Sequence, residues 1–407
     1  MKMILRGNSE LLEKGSFVLQ HQPLATKEGF RNVAKKWYDK TISFPQAMEK
    51  LEQDRSHTTD LNATLDEMVP AVNEAGRFVF RYQDGREFQP TRFALTQLAG
   101  WASTSRWVLE SLSSPQLDRR GRKQYDRDRQ DAETLLTIVQ NGLRRTKPGK
   151  LFLWRIRDDN TLRAILSDRY AVVDNRWLLE SMEQLIPGGR VSHWRGNSDS
   201  LYTNILIPDS IRAESDSDYG GMFFVGNSEI GESRLSVYPS LFRAICWNGC
   251  IWGQKKGEAL TRIHRGRVDL NALQVAIREN LNSQIPLLNN GINSLLQTRM
   301  LRWENSSATP LLAQVAMDAR MSRKQVKEFL GAYDTEAVTT PEYRNTLFGI
   351  INAITRAGQN LEDSDWVRFD ELGGRILAEG EIGWERTIKR AMSLRTSEIE
   401  SVLGMAG

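Results

Sequence analysis

Leu151-Phe152-Leu153-Trp154-Arg155-Ile156 and Thr161-Leu162-Arg163-Ala164-Ile165-Leu166 flank Asp158-Asp159-Asn160, and this arrangement decides the fold class. Apolar runs of strand length on either side of residues that favour tight turns predict a β-hairpin. Working outward, Tyr170 to Val173, Val191 to Trp194, Leu201 to Ile207, Met222 to Val225, Leu235 to Tyr238 and Phe242 to Trp247 are further strand candidates. Turn-rich segments separate them: Pro187-Gly188-Gly189, Gly196-Asn197-Ser198 and Ser215-Asp216-Ser217-Asp218. One helical pattern, Asn175 to Ile186 behind Asp174 as its cap, lies among these strands. Strands that follow one another without intervening helices pair antiparallel, so the pattern predicts an α+β fold with a mostly antiparallel central sheet.

The flanks differ in character. Residues 1–75 are polar and read as a loosely helical arm, with short amphipathic stretches at Phe30 to Ile42 and Phe44 to Leu51. Phe78-Val79-Phe80-Arg81-Tyr82 followed by Gln83-Asp84-Gly85-Arg86 signals a strand entering a hairpin, and helical spacing follows from Thr91 and again over Asp131 to Leu143. The α+β core domain is therefore expected over 76–270. Beyond it, 271–407 reads as an all-helical C-terminal region. Leu270 to Leu301 is amphipathic with an expected interruption at Pro286, Thr309-Pro310 opens the next helix, and Ser322-Arg323-Lys324-Gln325 has the form of a capping box. Thr340-Pro341 predicts a start before Tyr343 to Ala357, Trp366, Phe369, Leu372, Ile376 and Leu377 form an apolar stripe, and Trp384 lies in a final helix.

A chain of 407 residues exceeds one ordinary core and predicts two or three domains at roughly 100–200 residues each. With 40% apolar and 26% charged residues it has the composition of a folded protein, which excludes global disorder. The net charge of +4 is small, and its basic excess sits in residues 1–150. Two cysteines, Cys246 and Cys250, make no disulfide framework and suit a reducing compartment. No apolar run has the length of a signal peptide or membrane span, so the expected location is cytoplasmic, in a bacterial host, with no membrane partner.

Arg163-Ala164-Ile165-Leu166-Ser167-Asp168-Arg169-Tyr170 with Asp174-Asn175 and Leu178-Leu179 resembles a phage- and plasmid-borne family known as domain of unknown function 932. Gly226-Asn227-Ser228-Glu229-Ile230-Gly231 is similar to it as well. So are Phe242-Arg243-Ala244-Ile245-Cys246-Trp247-Asn248-Gly249 with His264, and Asn345-Thr346-Leu347 through Asn352-Ala353-Ile354-Thr355. The resemblance spans roughly residues 90–375. It implies a protein of a mobile element or virus and supplies no reaction.

Cys246, Cys250 and His264 do not add up to a closed zinc site, which needs four ligands, and no cofactor or metal is expected. No spacing matches a phosphate-binding loop or a dinucleotide fingerprint. Basic segments are the stronger signal. Arg119, Arg120, Arg122 and Lys123 surround Tyr125, and Lys255, Lys256, Arg262, His264, Arg265 and Arg267 form a second cluster downstream of Trp247 and Trp252. Cations interleaved with aromatic rings suit single-stranded nucleic acid, because charges follow phosphates while rings stack on unpaired bases. The expectation is a non-enzymatic phage or plasmid protein that binds single-stranded DNA in preference to duplex, in replication, recombination or strand annealing, and that forms homo-oligomers. One alternative is an enzyme with a site around Asp168, Arg169, Tyr170, Arg243, Cys246 and His264. The other is a structural protein that meets phage or host partners through an exposed Trp366 to Leu377 stripe.

Overall fold

The computed structural model describes residues 41–54, 58–113, 125–146, 149–196, 199–214, 218–243, 248–251, 260–262, 264, 266, 268–304, 307–361 and 363–404. The first half contains α1 (Phe44–Asp54), β1 (Thr58–Thr64), β2 (Met68–Val72), β3 (Phe78–Tyr82), β4 (Glu87–Pro90), α2 (Arg92–Trp101), α3 (Arg106–Ser113), α4 (Tyr125–Leu143), β5 (Leu151–Arg157) and β6 (Thr161–Ser167). Then come α5 (Asn175–Leu185), β7 (Arg190–Gly196), β8 (Ser200–Leu206), β9 (Arg212–Ala213), β10 (Asp218–Ser228), β11 (Leu235–Arg243), β12 (Asn248–Ile251) and β13 (Leu260–Arg262). The chain continues with α6 (Leu270–Gln297), α7 (Thr309–Asp318), α8 (Arg323–Thr339), α9 (Leu347–Gln359), α10 (Asp363–Met392) and α11 (Thr396–Leu403). The class is α+β, with a helical C-terminal region.

The strands form two sheets. The first has the order β1-β5-β6-β4-β3-β2 and is antiparallel except where β4 runs parallel to β6. Its centre is the β5–β6 hairpin, whose register pairs Trp154 with Ile165 and shifts between Arg155 and Ile156. Leu95, Leu98, Leu109, Leu135 and Val139 of α2 to α4 cover it, packed in one core with Phe80, Phe152 and Trp154. The second sheet has the order β12-β11-β10-β8-β7, with β13 beside β11 and β9 beside β10. Phe223 and Val225 of β10 share a core with α1, α5, α6 and the C-terminal helices. Gly221 marks a close approach of sheet and helix: a Cβ at that position would lie 2.8 Å from Leu288 of α6. The helices after 270 therefore complete the core of the second sheet instead of building a separate one.

Several expectations change. Residues 58–72, expected in a helical arm, are β1 and β2, the two edge strands of the first sheet. An edge strand exposes much of its surface, and only Ala63 of β1 is buried, so its sequence carries little apolar signal. Residues 1–40 lie outside the described residues. Tyr170 to Val173 makes no strand beyond an isolated bridge at Tyr170, since the Ala171 N–H is taken by the His264 carbonyl. The two strands expected either side of Pro239 are the single strand β11. On its outer side β13 pairs with Leu235 to Val237 and β12 with Ser240 to Arg243, so Pro239 falls in the interval between two partners. Pro286 does not interrupt α6; it sits on the exposed face, where water can serve the carbonyl that its missing N–H leaves unpaired. The helix expected at Tyr343 begins at Leu347, where Thr346 caps it by accepting the Gly349 N–H.

Candidate functional site

Six charged side chains, three of each sign, meet where the two sheets join. Arg155 of β5 and Arg163 of β6 are buried, and Glu229, in the turn after β10, lies between them with Oε2 at 3.7 Å and 3.6 Å from their guanidinium nitrogens. Arg155 also donates to Asp60 at 2.9 Å and to the Glu229 carbonyl at 2.6 Å. Arg163 donates to Asp199 at 2.5 Å and to Thr58 at 2.8 Å, and Arg157 reaches the other oxygen of Asp199 at 2.9 Å. Burial raises the Glu229 carboxyl above its ordinary range, against the pull of the Asn175 amide and both guanidiniums. Its Oε1 accepts the Asn175 N–H at 2.9 Å, at the first turn of α5. The expected cap, Asp174, makes no side-chain cap bond, because a carboxylate from the second sheet holds that position. Asn227 completes the cluster by donating from Nδ2 to Asn175 and to the Val173 carbonyl, each at 2.8 Å.

Beside this seam a cleft of about 570 Å³ opens, lined by Gln97, Trp101, Tyr170, Ser233, Arg234 and His264 among others. Its wall is preorganised. The rings of Tyr170 and His264 stack at 5.2 Å and 14°, and the Tyr170 hydroxyl donates to the Ser228 carbonyl at 2.9 Å. Burial raises the Tyr170 phenol above its usual value, outweighing the pull of Arg155, so it stays neutral. His264 Nδ1 lies 3.0 Å from the Ala171 carbonyl. A carbonyl can only accept, so Nδ1 carries the proton. Gln97 spans the cleft floor, donating to the Ile230 carbonyl and accepting the Ile165 N–H. Trp101 donates to the Ile165 carbonyl, and Lys150 places its ammonium 3.8 Å from the Trp101 ring centre.

The segment bearing the second basic cluster is fastened to this wall. Leu260 to Arg262 pairs with Leu235 to Val237, directly after Arg234. The His264 carbonyl accepts the Ala171 N–H, and the Gly266 N–H donates to the Arg169 carbonyl at 2.8 Å. Arg262 is thus the last residue of β13, and Arg265 and Arg267 flank the anchored Gly266 in sequence. Asp168 and Arg169 are exposed in the turn that Tyr170 closes. Arg119, Arg120, Arg122, Lys123, Lys255, Lys256, Arg265, Arg267 and Cys246 lie outside the described residues; Tyr125 is the first residue of α4. Arg243 belongs elsewhere: it is buried against Glu336 at 3.0 Å, which also takes Arg356 at 2.7 Å, and it lies over the Phe348 ring. Of the six residues of the enzyme reading, Tyr170 and His264 therefore lie together and Arg243 lies apart from them. The Trp366 to Leu377 stripe is mostly buried, which removes the surface that the structural reading invoked. Among the described residues no three His, Cys, Asp or Glu side chains group as a metal site, and no helix is long and apolar enough to cross a membrane.

Sequence reasoning missed Trp101 and the roles of Arg155, Arg163 and Glu229. Two arginines inside apolar strand runs were the available signal, since a buried guanidinium needs a carboxylate. Of the residues behind the family resemblance, Arg163, Tyr170, Asn175, Asn227, Ser228, Glu229 and His264 meet at the seam or the cleft wall, while Arg243 pairs with Glu336 and 345–355 builds the start of α9. No curated protein and no solved structure matches the chain. The family model described as Domain of unknown function (DUF932) matches residues 164–379, more than half of the sequence, and the chain belongs to that family.

Proposed function

We propose that this protein binds single-stranded nucleic acid along the Tyr170–His264 cleft, as a binding protein of mobile-element replication or recombination. The observation that supports the reading is the anchoring of Leu260–Arg262, His264 and Gly266 to the cleft wall, through β13–β11 pairing and the Ala171–His264 and Gly266–Arg169 hydrogen bonds. Arg262 ends the anchored strand, and Arg265 and Arg267 neighbour Gly266 in sequence. In this reading unpaired bases rest against Tyr170, His264 and Trp101 while phosphates follow the arginines. Gln97, Trp101, Tyr170 and His264 are already hydrogen-bonded to backbone, so this part of the wall is fixed before a strand arrives and little ordering cost falls on binding there.

The test is an anisotropy titration of labelled single- and double-stranded oligonucleotides over a salt series. Single strands are expected to bind more tightly. The Arg262→Ala/Arg265→Ala/Arg267→Ala variant is expected to weaken binding and to flatten the slope of log K against log salt by about 2, at roughly 0.7 per phosphate contact on a single strand. An unchanged slope, or no binding at low salt, would refute the reading.

A further inference from the structure

A second cleft lies far along the chain, in the C-terminal helices, and the Tyr170–His264 surface has no part in it. Helix α10 is broken at Gly380, whose φ of 56° and ψ of −143° lie outside helical space. Beyond the break the chain turns so that α7, α9 and both arms of α10 enclose a cleft of about 350 Å³. Apolar side chains line it, among them Val315, Leu347, Ile350, Leu372 and Ile376. Gly383 is required by the packing there, because a Cβ would fall 2.4 Å from Cβ of Glu379.

Three features distinguish this cleft from a packing defect. Trp384 lines it, is 4% exposed, and its indole N–H has no acceptor among the described residues. A buried donor without a partner carries a desolvation penalty, which is offset when a ligand supplies the acceptor. Arg375 and Arg386 also line the cleft, are exposed, and make no ion pair or side-chain hydrogen bond among the described residues. The remaining cation, Arg390, is already neutralised by a two-pronged pair with Asp318 at 3.0 Å and 2.8 Å. Glu379 is the one acidic group lining the cleft besides Asp318, so the two unpaired guanidiniums leave its rim positive.

We propose that this cleft is a binding site for a small organic anion with a compact apolar body, such as a medium-chain or aromatic carboxylate. The aliphatic floor takes the body, Arg375 and Arg386 take the charged head, and the Trp384 N–H meets an acceptor on the ligand. The volume is near the lower end of small-molecule pockets, roughly 300–1,000 Å³, which limits the body to a single ring system or a short chain. Arginine suits the head, since its planar fork matches a carboxylate.

The test follows the indole N–H resonance of Trp384 in full-length protein with ¹⁵N-labelled tryptophan, assigned by its loss in Trp384→Phe. Octanoate and naphthoate are the probes, with octanol as the uncharged body and inorganic phosphate as the bodiless anion. Both carboxylates are expected to move the Trp384 resonance to saturation, and calorimetry should show octanoate binding at least about tenfold weaker in Arg375→Gln/Arg386→Gln. That variant changes exposed side chains only, so the calorimetric arm stands even if Trp384→Phe fails to fold. Equal binding of octanol would overturn the anionic class, and equal binding of phosphate would overturn the apolar body. A Trp384 resonance that no probe moves, or an unchanged affinity in the double variant, would overturn the site.

Discussion

Glu229 shows how one residue couples packing to the candidate site. Its carboxylate offsets two buried guanidiniums and caps α5, while the residue before it supplies the carbonyl that orients Tyr170. Asp370 of α10 presents the opposite case. It is fully buried, and among the described residues neither carboxylate oxygen has a well-aligned hydrogen-bond donor. Burial raises its carboxyl well above the ordinary value of 3.8, only partly opposed by the Arg195 charge and the Trp366 indole. The folded state therefore holds a proton that the unfolded state releases. Below the unfolded value both states are protonated and the residue is neutral to stability; as pH rises above it, stability is lost until the folded group also ionises. Asp370→Asn is accordingly expected to raise the unfolding free energy at pH 7, by about 1.4 kcal/mol for each unit separating the two values and read as a higher urea midpoint, with the gain vanishing near pH 4. A variant that is no more stable than the parent at pH 7 would contradict this.

At the scale of elements, the β5–β6 and β3–β4 hairpins, the capping box of α8 and the stripe of α10 were all legible in sequence, because each depends on residues within a few positions of one another. The start of α5 at Asn175 was legible too, but its capping bond was not, for the opposite reason. Its cap comes from Glu229, 54 residues away, and no local pattern announces such a partner. The tyrosine and histidine of the cleft were legible as residues with chemistry, but their stacking depends on a backbone contact between 169–171 and 264–266 that only the fold creates. Pro239 misled because proline marks strand ends locally, and the interval on the outer side of β11 that admits it is a property of the sheet. The break in α10 belongs to this scale too. Gly380→Ala places a Cβ on a backbone conformation that is nearly confined to glycine, and is expected to cost about 1–3 kcal/mol in thermal or urea unfolding. Nothing lies within 4 Å of the added carbon, so the loss would report backbone strain and not a clash. A neutral substitution would show that the bend can shift elsewhere.

At the scale of the whole molecule, two large cores are joined by a charged seam and by a small apolar cluster of Leu153, Ala164, Leu166 and Ile230. One core lies under the first sheet, the other between the second sheet and the helices, and Arg155 and Arg163 reach from one toward Asp199 and Glu229 on the other. Arg155 and Arg163 keep Asp60 and Asp199 if Glu229 is truncated, whereas the Asn175 N–H loses its acceptor. Glu229→Ala is expected to destabilise the protein by about 1–3 kcal/mol and to speed exchange of the Asn175 amide, read by hydrogen–deuterium exchange. Unchanged protection there would mean that the seam is not what caps α5. The seam also explains the placement of the cleft, whose wall is built from the strand ends and turns the seam fixes. The most direct test of that cleft as a nucleic-acid surface is photocrosslinking of single-stranded oligonucleotides carrying 5-iodouracil, with peptide mapping of the adducts. Adducts on the peptides containing Trp101, Tyr170 or His264, competed away by unlabelled single strands more readily than by duplex, are the expected result. Adducts confined to other parts of the chain, or none at all, would contradict it.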